Sequence, residues 1–300
     1  MDFMTSRKLR FAIFGNTCQT KKSAAVREVL DGLASFGADV CIDREYYDFL
    51  TSSGVLAARD ACVFDGDDFD ADFVISMGGD GTFLKAAGRV GAKGIPIVGV
   101  NMGRLGFLAD VTAGEIDECL KALHYGDYAV ENRVVIKVET DGEPFEGSCY
   151  ALNDVAILKR DNASMISIRT CVNGEYLTTY QADGLIVSTP TGSTAYSLSN
   201  GGPIIVPGTR VMAMTAVAPH SLNIRPIVIP DDAEISLAVG SRSHTFLVAI
   251  DGRSEKCREV TRLTIRKAPY SVRVVKRRAE GYFATLREKM MWGTDVRDNK

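Results

Sequence analysis

The chain has only three histidines, His124, His220 and His244, and they lie too far apart for zinc-ligand spacing. Its seven cysteines, Cys18, Cys41, Cys62, Cys119, Cys149, Cys171 and Cys257, are scattered and form no C-x-x-C pair. That pattern excludes metal-ribbon and thioredoxin-type sites, and the expectation is reduced thiols in a cytoplasmic protein. No apolar run is long enough to cross a bilayer. The apolar stretch after Arg7, Lys8 and Arg10 is too short for a signal peptide. A basic excess is missing too: 35 Lys and Arg against 38 Asp and Glu leave a net charge of −3. Nucleic acid is therefore not expected as the main partner, nor is a membrane. There is no Gly-x-x-x-x-Gly-Lys-Ser/Thr sequence, which excludes a Walker-type P-loop. Repeats and low-complexity segments are absent as well.

What remains is 300 residues, 46% hydrophobic, enough to bury one or two sizeable cores. Buried-strand runs at 9–14, 39–42, 73–76 and 95–100 alternate with helical spacing at 23–36, from Thr82 onward, and at 116–123. Such alternation predicts an α/β domain with a parallel sheet and right-handed crossovers. Past Tyr125 the pattern changes to short β-branched runs at 133–139, 150–158, 165–172, 184–188, 224–229, 234–239 and 246–250. Asp141-Gly142, Asn173-Gly174 and Asp251-Gly252 supply turn chemistry between them. The expected organisation is an α/β domain over 1–124, a β-rich domain over 125–275, and a tail over 276–300. Helical spacing returns at 281–292 through Phe283, Leu286, Met290 and Met291, and this helix is expected to pack back on the first domain.

Four segments carry chemistry. Gly78-Gly79-Asp80-Gly81-Thr82 follows the strand at 73–76 and opens a helix. Glycines there let the chain turn sharply and approach a ligand, as in phosphate cradles at helix starts. A carboxylate in such a cradle repels phosphate, so Asp80 is expected to face a hydroxyl or a metal ion. The loop 101–107 likewise follows a strand and ends in Phe107, a stacking platform or a core residue. Asn153-Asp154 interrupts an apolar run, and buried polar pairs of this kind need partners. An amide beside a carboxylate suits a ribose diol; a β-bulge is the plainer alternative. Residues 183–199 run from a strand into a Thr/Pro/Gly/Ser turn and a short helix opening near Ser193 or Thr194, stopped by Gly201-Gly202-Pro203.

Together Gly78–Thr82, Asn153-Asp154, the run from Asp183 to Gly202, the loop 101–107 and Ala218-Pro219-His220-Ser221-Leu222 resemble the NAD kinases. Those enzymes use ATP to phosphorylate the 2′-hydroxyl of the adenosine ribose of NAD. The likeness spans about residues 9–292. The glycine turn alone is less specific and also resembles elements of lipid kinases and phosphofructokinases; the Ser-Thr-Pro-Thr-Gly-Ser-Thr-Ala-Tyr run is far more specific.

The resemblance implies an α/β amino-terminal domain and a β-sandwich-like carboxyl-terminal domain. It implies that Asp80 is the catalytic proton acceptor, with Gly81 beside it. It places Gly78, Gly79, Gly81 and Thr82 at the ATP phosphates. It assigns NAD to Asn153 and Asp154 through the ribose, to Asp183 at the nicotinamide end, and to Phe107 near the adenine. Thr191, Thr194, Ala195, Tyr196, Ser197, Leu198 and Ser199 become a wall around the adenine and amide groups, and Ala218 joins the NAD set. Four further NAD positions depart from the common family pattern: Lys85 stands for Arg, Arg253 for Gln, and Ser164 and Gln181 for basic residues; Asp154 stands for Glu. Mg²⁺ is expected to arrive with ATP, without a dedicated protein cluster. Homodimers or homotetramers are common among such proteins. Two other readings are an NAD-responsive binding protein without turnover and a lipid kinase sharing only the glycine turn.

Overall fold

A computed structural model describes residues 8–17, 23–56, 62–103, 106–160, 164–276 and 281–290. Cys18, Arg104, Leu105, Met291 and Trp292 lie outside the described residues. The chain forms two compact units, one of residues 1–131 and 272–300, the other of residues 132–271.

The first unit contains β1 (Arg10–Gly15), α1 (Ser23–Ser35), β2 (Asp39–Asp43), α2 (Arg44–Ser52), β3 (Cys62–Phe64), β4 (Phe73–Gly78), α3 (Asp80–Val90), β5 (Ile97–Asn101) and α4 (Ile116–Tyr125). Every residue of β4 and β5 is buried. Such continuous apolar runs belong in a parallel sheet covered on both faces, where each buried Val or Ile contributes roughly 1.5–3 kcal/mol. The strands are parallel in the order β3-β2-β1-β4-β5. Strand order reverses between β1 and β4, and sheets of this kind bind ligands outside the carboxyl ends of the strands at that point. The glycine turn leaves β4 there.

Two elements of this unit are not evident in the sequence pattern. Helix α2 follows β2 without a linker and is held by Tyr46 and Leu50, one turn apart and buried. Strand β3 is only three residues long. Cys62 in β3 sits directly opposite Cys41 in β2, with Cα atoms 4.4 Å apart, and the two form a disulfide. This corrects the expectation of reduced thiols for that pair; Cys119, Cys149, Cys171 and Cys257 are in no disulfide.

The chain continues through β6 (Ala129–Thr140), β7 (Tyr150–Ala151), β8 (Asp154–Lys159), β9 (Ile166–Val172), β10 (Glu175–Ala182), β11 (Gly184–Ser188), α5 (Tyr196–Ser199), β12 (Val211–Val217), β13 (Ile227–Pro230), β14 (Ile235–Gly240), β15 (Thr245–Ile250), β16 (Arg253–Arg258) and β17 (Arg262–Lys276) to α6 (Tyr282–Met290). In the second unit β10, β9, β14 and β17 form one antiparallel sheet, joined by β6 and β7. A second antiparallel sheet runs β13-β12-β11-β8-β15-β16. Inward residues of both, including Ile157, Ile168, Leu185, Leu237, Phe246 and Leu263, share one core, so the unit is a β-sandwich. Asn173 (φ 50°) with Gly174 (φ 81°), and Asp251 (φ 46°) with Gly252 (φ 85°), make tight hairpins. Positive φ at both central residues matches the strand twist. Strands β10, β12, β16 and β17 extend the sheets beyond the runs anticipated from sequence.

Candidate active site

In the first unit only Gly79 separates β4 from α3, and Asp80 is the first residue of the helix. None of Gly78, Gly79 and Gly81 has a positive φ, so their backbone freedom is not what the turn uses. Space is. A Cβ at Gly78 would collide with the Thr82 side chain, whereas at Gly79 and Gly81 it would meet nothing within 4 Å. The last two therefore leave the backbone open to a ligand.

The Asp80 carboxylate is fixed by the loop after β5. Oδ2 accepts from the Phe107 N–H at 3.0 Å; Oδ1 accepts from Leu108 at 3.0 Å and Ala109 at 3.1 Å. Asn101, buried at the end of β5, shapes that loop: its Nδ2 donates to Ala109 O at 3.1 Å and its Oδ1 accepts from Gly103 N at 2.5 Å. Lys289 of α6 completes the set, with Nζ 3.4 Å from Asp80 Oδ2. Burial alone pushes the Asp80 carboxyl up. The Lys289 ammonium and the three N–H donors outweigh it and hold the group below its ordinary value. Asp80 is thus a firmly ionised carboxylate with its oxygens fixed in direction. Lys85, five residues along α3, is half exposed and ion-paired with Glu45.

The second unit holds a separate polar cluster. Residues 152 and 153 form a bend between β7 and β8, so the expected single strand over 150–158 is interrupted there. The bend is clamped from two sides. The Asp251 carboxylate accepts from the N–H groups of Leu152 (2.8 Å), Asn153 (2.8 Å) and Asp154 (3.1 Å). On the other side Thr189 Oγ1 donates to Leu152 O at 2.6 Å, and Thr189 N donates to Asn153 O at 2.9 Å. Gly192 packs so closely on the Asn153 backbone that no Cβ fits between them. Asp154 is only 6% exposed and accepts from the Tyr196 N–H. Burial, reinforced by the charge of Asp251, raises the Asp154 carboxyl to about 7, partly opposed by that N–H. Burial also raises Asp251, against its three backbone donors.

Two family models match this chain: the ATP-NAD kinase N-terminal domain over residues 12–128 and the ATP-NAD kinase C-terminal domain over residues 152–277. The NAD kinase of Bacteroides fragilis is 60% identical over 96% of this chain and 100% of its own length. The NAD kinase of Porphyromonas gingivalis is 43% identical, over 96% and 99%. The chain belongs to the ATP-NAD kinase family. Among solved structures, yeast NADH kinase complexed with NADH superposes with a TM-score of 0.87 over 99% of this chain and 91% of its own, at 22% identity, which bears on fold alone. An NAD kinase from Archaeoglobus fulgidus in complex with ATP gives a TM-score of 0.74 at 25% identity, covering 94% and 99%. The α/β and β-sandwich architecture agrees with the family resemblance read from the sequence.

The remaining expected NAD kinase positions fall into distinct settings. Thr191 and Ser193 are buried in a 3-10 turn over Thr191–Thr194, and Thr191 Oγ1 accepts from Arg133 at 3.4 Å. After Ala195 the four-residue α5 begins at Tyr196, later than expected, with Leu198 half-buried and Ser199 exposed. Ser197 is fully buried, with its hydroxyl 2.9 Å from Thr215 Oγ1. Asp183 pairs with Lys159 at 2.8 Å, and Ala218 at the end of β12 has φ 43°. Gln181 is an exposed residue of β10 whose carbonyl accepts from His220 N; Ser164 lies half-buried before β9. Arg253 is bound to Glu255 and to the Ser148 carbonyl, which ties it to the loop at 146–148.

Two residues of the candidate site are absent from the sequence reading. Asp251 is legible there as half of an Asp-Gly hairpin turn, and only the pairing of β15 with β8 brings its carboxylate to the Asn153-Asp154 bend. Lys289 reads as one of the charged positions of an amphipathic tail helix, with nothing in its spacing to mark it.

Proposed function

We propose that Asp80 accepts the proton of the ribose hydroxyl in the ATP-dependent phosphorylation of NAD to NADP that this family member catalyses. The observation that supports the role is the fourfold fixation of Asp80 at the carboxyl end of β4. Phosphoryl transfer has a loose transition state, so the protein's contribution is positioning and charge balance. A carboxylate held below its ordinary pKa is a weak base. It orients the 2′-hydroxyl from the outset and takes the proton late, as the bond to phosphorus forms. Gly79 and Gly81, with open space at their Cβ positions, suit the approach of the ATP phosphates.

The Asn153-Asp154 bend supports a role in ribose recognition. Its backbone is held on both sides, which frees the side chains for a ligand. The Asp154 carboxyl sits near 7; ionised, it accepts from both hydroxyls of a diol. Among the described residues, no three His, Cys, Asp or Glu side chains gather to hold a metal ion. In this proposal Mg²⁺ enters as part of the nucleotide substrate and neutralises phosphate charge.

The whole-chain likeness favours neither a lipid kinase nor a binding protein without turnover. Among the described residues no helix is long and apolar enough to cross a membrane. Incubation with ATP, Mg²⁺ and NAD, read with an NADP-specific dehydrogenase, tests the reading. Tight NAD binding with no product would turn it toward a binding module.

A further inference from the structure

A carboxylate at the mouth of a phosphate-binding turn poses a charge problem. The donor nucleotide brings several negative charges toward Asp80, and a bare carboxylate would repel it. The first unit contains an answer outside the motifs that identify the family. Helix α6 is anchored through buried Leu286 and sets Lys289 Nζ 3.4 Å from Asp80 Oδ2. The same ammonium lies 4.2 Å from the centroid of the Phe107 ring. Tyr282, at the other end of α6, meets that ring with centroids 6.3 Å apart. Lys289 is thus fixed by a carboxylate and an aromatic face together, and a cation in such a seat is held in place rather than waving in solvent. Its side chain remains 29% exposed and that of Asp80 31%, so both are open on one side.

Among the described residues the charges around Asp80 are few. The loop 107–109 presents three neutral N–H groups, and Lys85 of α3 is turned to Glu45. On α6, Arg287 and Glu288 are exposed. Lys289 is the described side chain whose charge acts on Asp80.

We propose that Lys289 is a positioning residue for phosphoryl transfer: its ammonium neutralises Asp80, keeps Oδ2 aimed, and admits the anionic donor beside a carboxylate. The inference rests on Asp80 being the hydroxyl acceptor. In the transfer the 2′-oxygen bonds to the γ-phosphorus as the bond from that phosphorus to the β–γ bridging oxygen breaks. ADP leaves with the bond's electron pair, and the hydroxyl proton passes to Asp80. As the proton arrives the carboxylate loses its charge, and the ammonium is left facing the incoming phosphoryl oxygens. One cation thus serves the acceptor early and the transferred group late.

The test compares Lys289→Met, which keeps length and removes charge, with Lys289→Arg, which keeps charge. Both are assayed for kcat and for KM of ATP and NAD across pH 5–9, with thermal melts as a folding control. Lys289→Met is expected to lower kcat by about 10²-fold and to raise KM for ATP more than for NAD. It should also move the acid limb of the pH profile upward, because Asp80 loses the charge that holds its pKa down. Lys289→Arg should restore the limb and most of kcat. In an Asp80→Asn background Lys289→Met should add little, since the two act as a unit. A folded Lys289→Met enzyme with an unmoved acid limb and wild-type kcat overturns the role of Lys289 while leaving that of Asp80 standing. Faster turnover than wild type would also overturn it, making the contact a latch that substrates must break. Failure of the wild-type chain to form NADP would instead remove the reading of Asp80 itself.

Discussion

Gly106 lies flat against Asp80: a methyl group at position 106 would overlap Asp80 Oδ1. The φ of Gly106 is not positive, so an alanine meets no backbone strain there; its Cβ would overlap the carboxylate and press on the Ala109 carbonyl at 3.1 Å. Gly106→Ala should therefore displace Asp80 from the N–H groups of 107–109 while leaving the sheet intact. Overpacking of this kind costs about 1–3 kcal/mol, and a small misplacement of a positioned group can cost about 10²-fold in rate. NADP formation should fall by about that factor with a melting point lowered by a few degrees. Wild-type turnover in a folded Gly106→Ala variant would show that the geometry of Asp80 is not limiting.

Asp80→Asn keeps the size and removes the charge. The amide offers one accepting oxygen to three backbone donors that now share two. Some stability is lost with them, about 1–3 kcal/mol for a donor left unpaired. Turnover should fall by roughly 10²–10⁴-fold, with NAD affinity retained by calorimetric titration. Near-normal NADP formation would remove Asp80 from the mechanism.

Sequence periodicity reveals the parallel sheet because β1, β4 and β5 are apolar runs bounded by glycine, and burial on both faces demands that composition. It misses α2, whose inward face is only Tyr46 and Leu50, and β3, which is too short to show a period. In the second unit Asn173-Gly174 and Asp251-Gly252 mark hairpins through local turn chemistry. Strands such as β16, whose residues are largely exposed, carry little apolar signal. The same distinction governs the site. Asp80 and the Asn153-Asp154 pair stand out because each breaks its local pattern. Asp251 and Lys289 obey theirs, as a turn residue and a helix-surface cation, and acquire a role only from residues 97 and 209 positions away.

Asp251→Ala leaves the N–H groups of Leu152, Asn153 and Asp154 without their acceptor. At about 1–3 kcal/mol for each buried donor that water cannot reach, the loss should be several kcal/mol. It is compounded by alanine at φ 46°, which Asp and Asn tolerate better. Asp251→Asn should recover part of it. Both variants should bind NAD more weakly, because the bend that presents Asn153 and Asp154 loses all or part of its hold on the Asp251 side, leaving that of Thr189. Denaturant unfolding and NAD titration read the two effects separately. An unchanged NAD dissociation constant in Asp251→Ala would show that the clamp serves folding alone.

Asp154 gives the site a pH signature in stability. Its carboxyl is raised from 3.8 to about 7 by burial and the nearby Asp251 charge, so the folded chain holds a proton there that the unfolded chain releases. Over that interval the folded state binds more protons, and stability falls as pH rises. The penalty is absent below about pH 4, grows through pH 7, and then levels off; a difference of this size corresponds to roughly 4 kcal/mol at most. Asp154→Asn, neutral at every pH, should therefore melt at a higher temperature than wild type at pH 8 and match it near pH 4. Its NAD affinity should drop, since the amide cannot replace a carboxylate toward two ribose hydroxyls. A stability difference independent of pH would mean that Asp154 does not titrate in this range. An unchanged affinity would take the ribose away from it. Stability gained together with binding lost is the combination expected of a group whose burial is tolerated for its ligand.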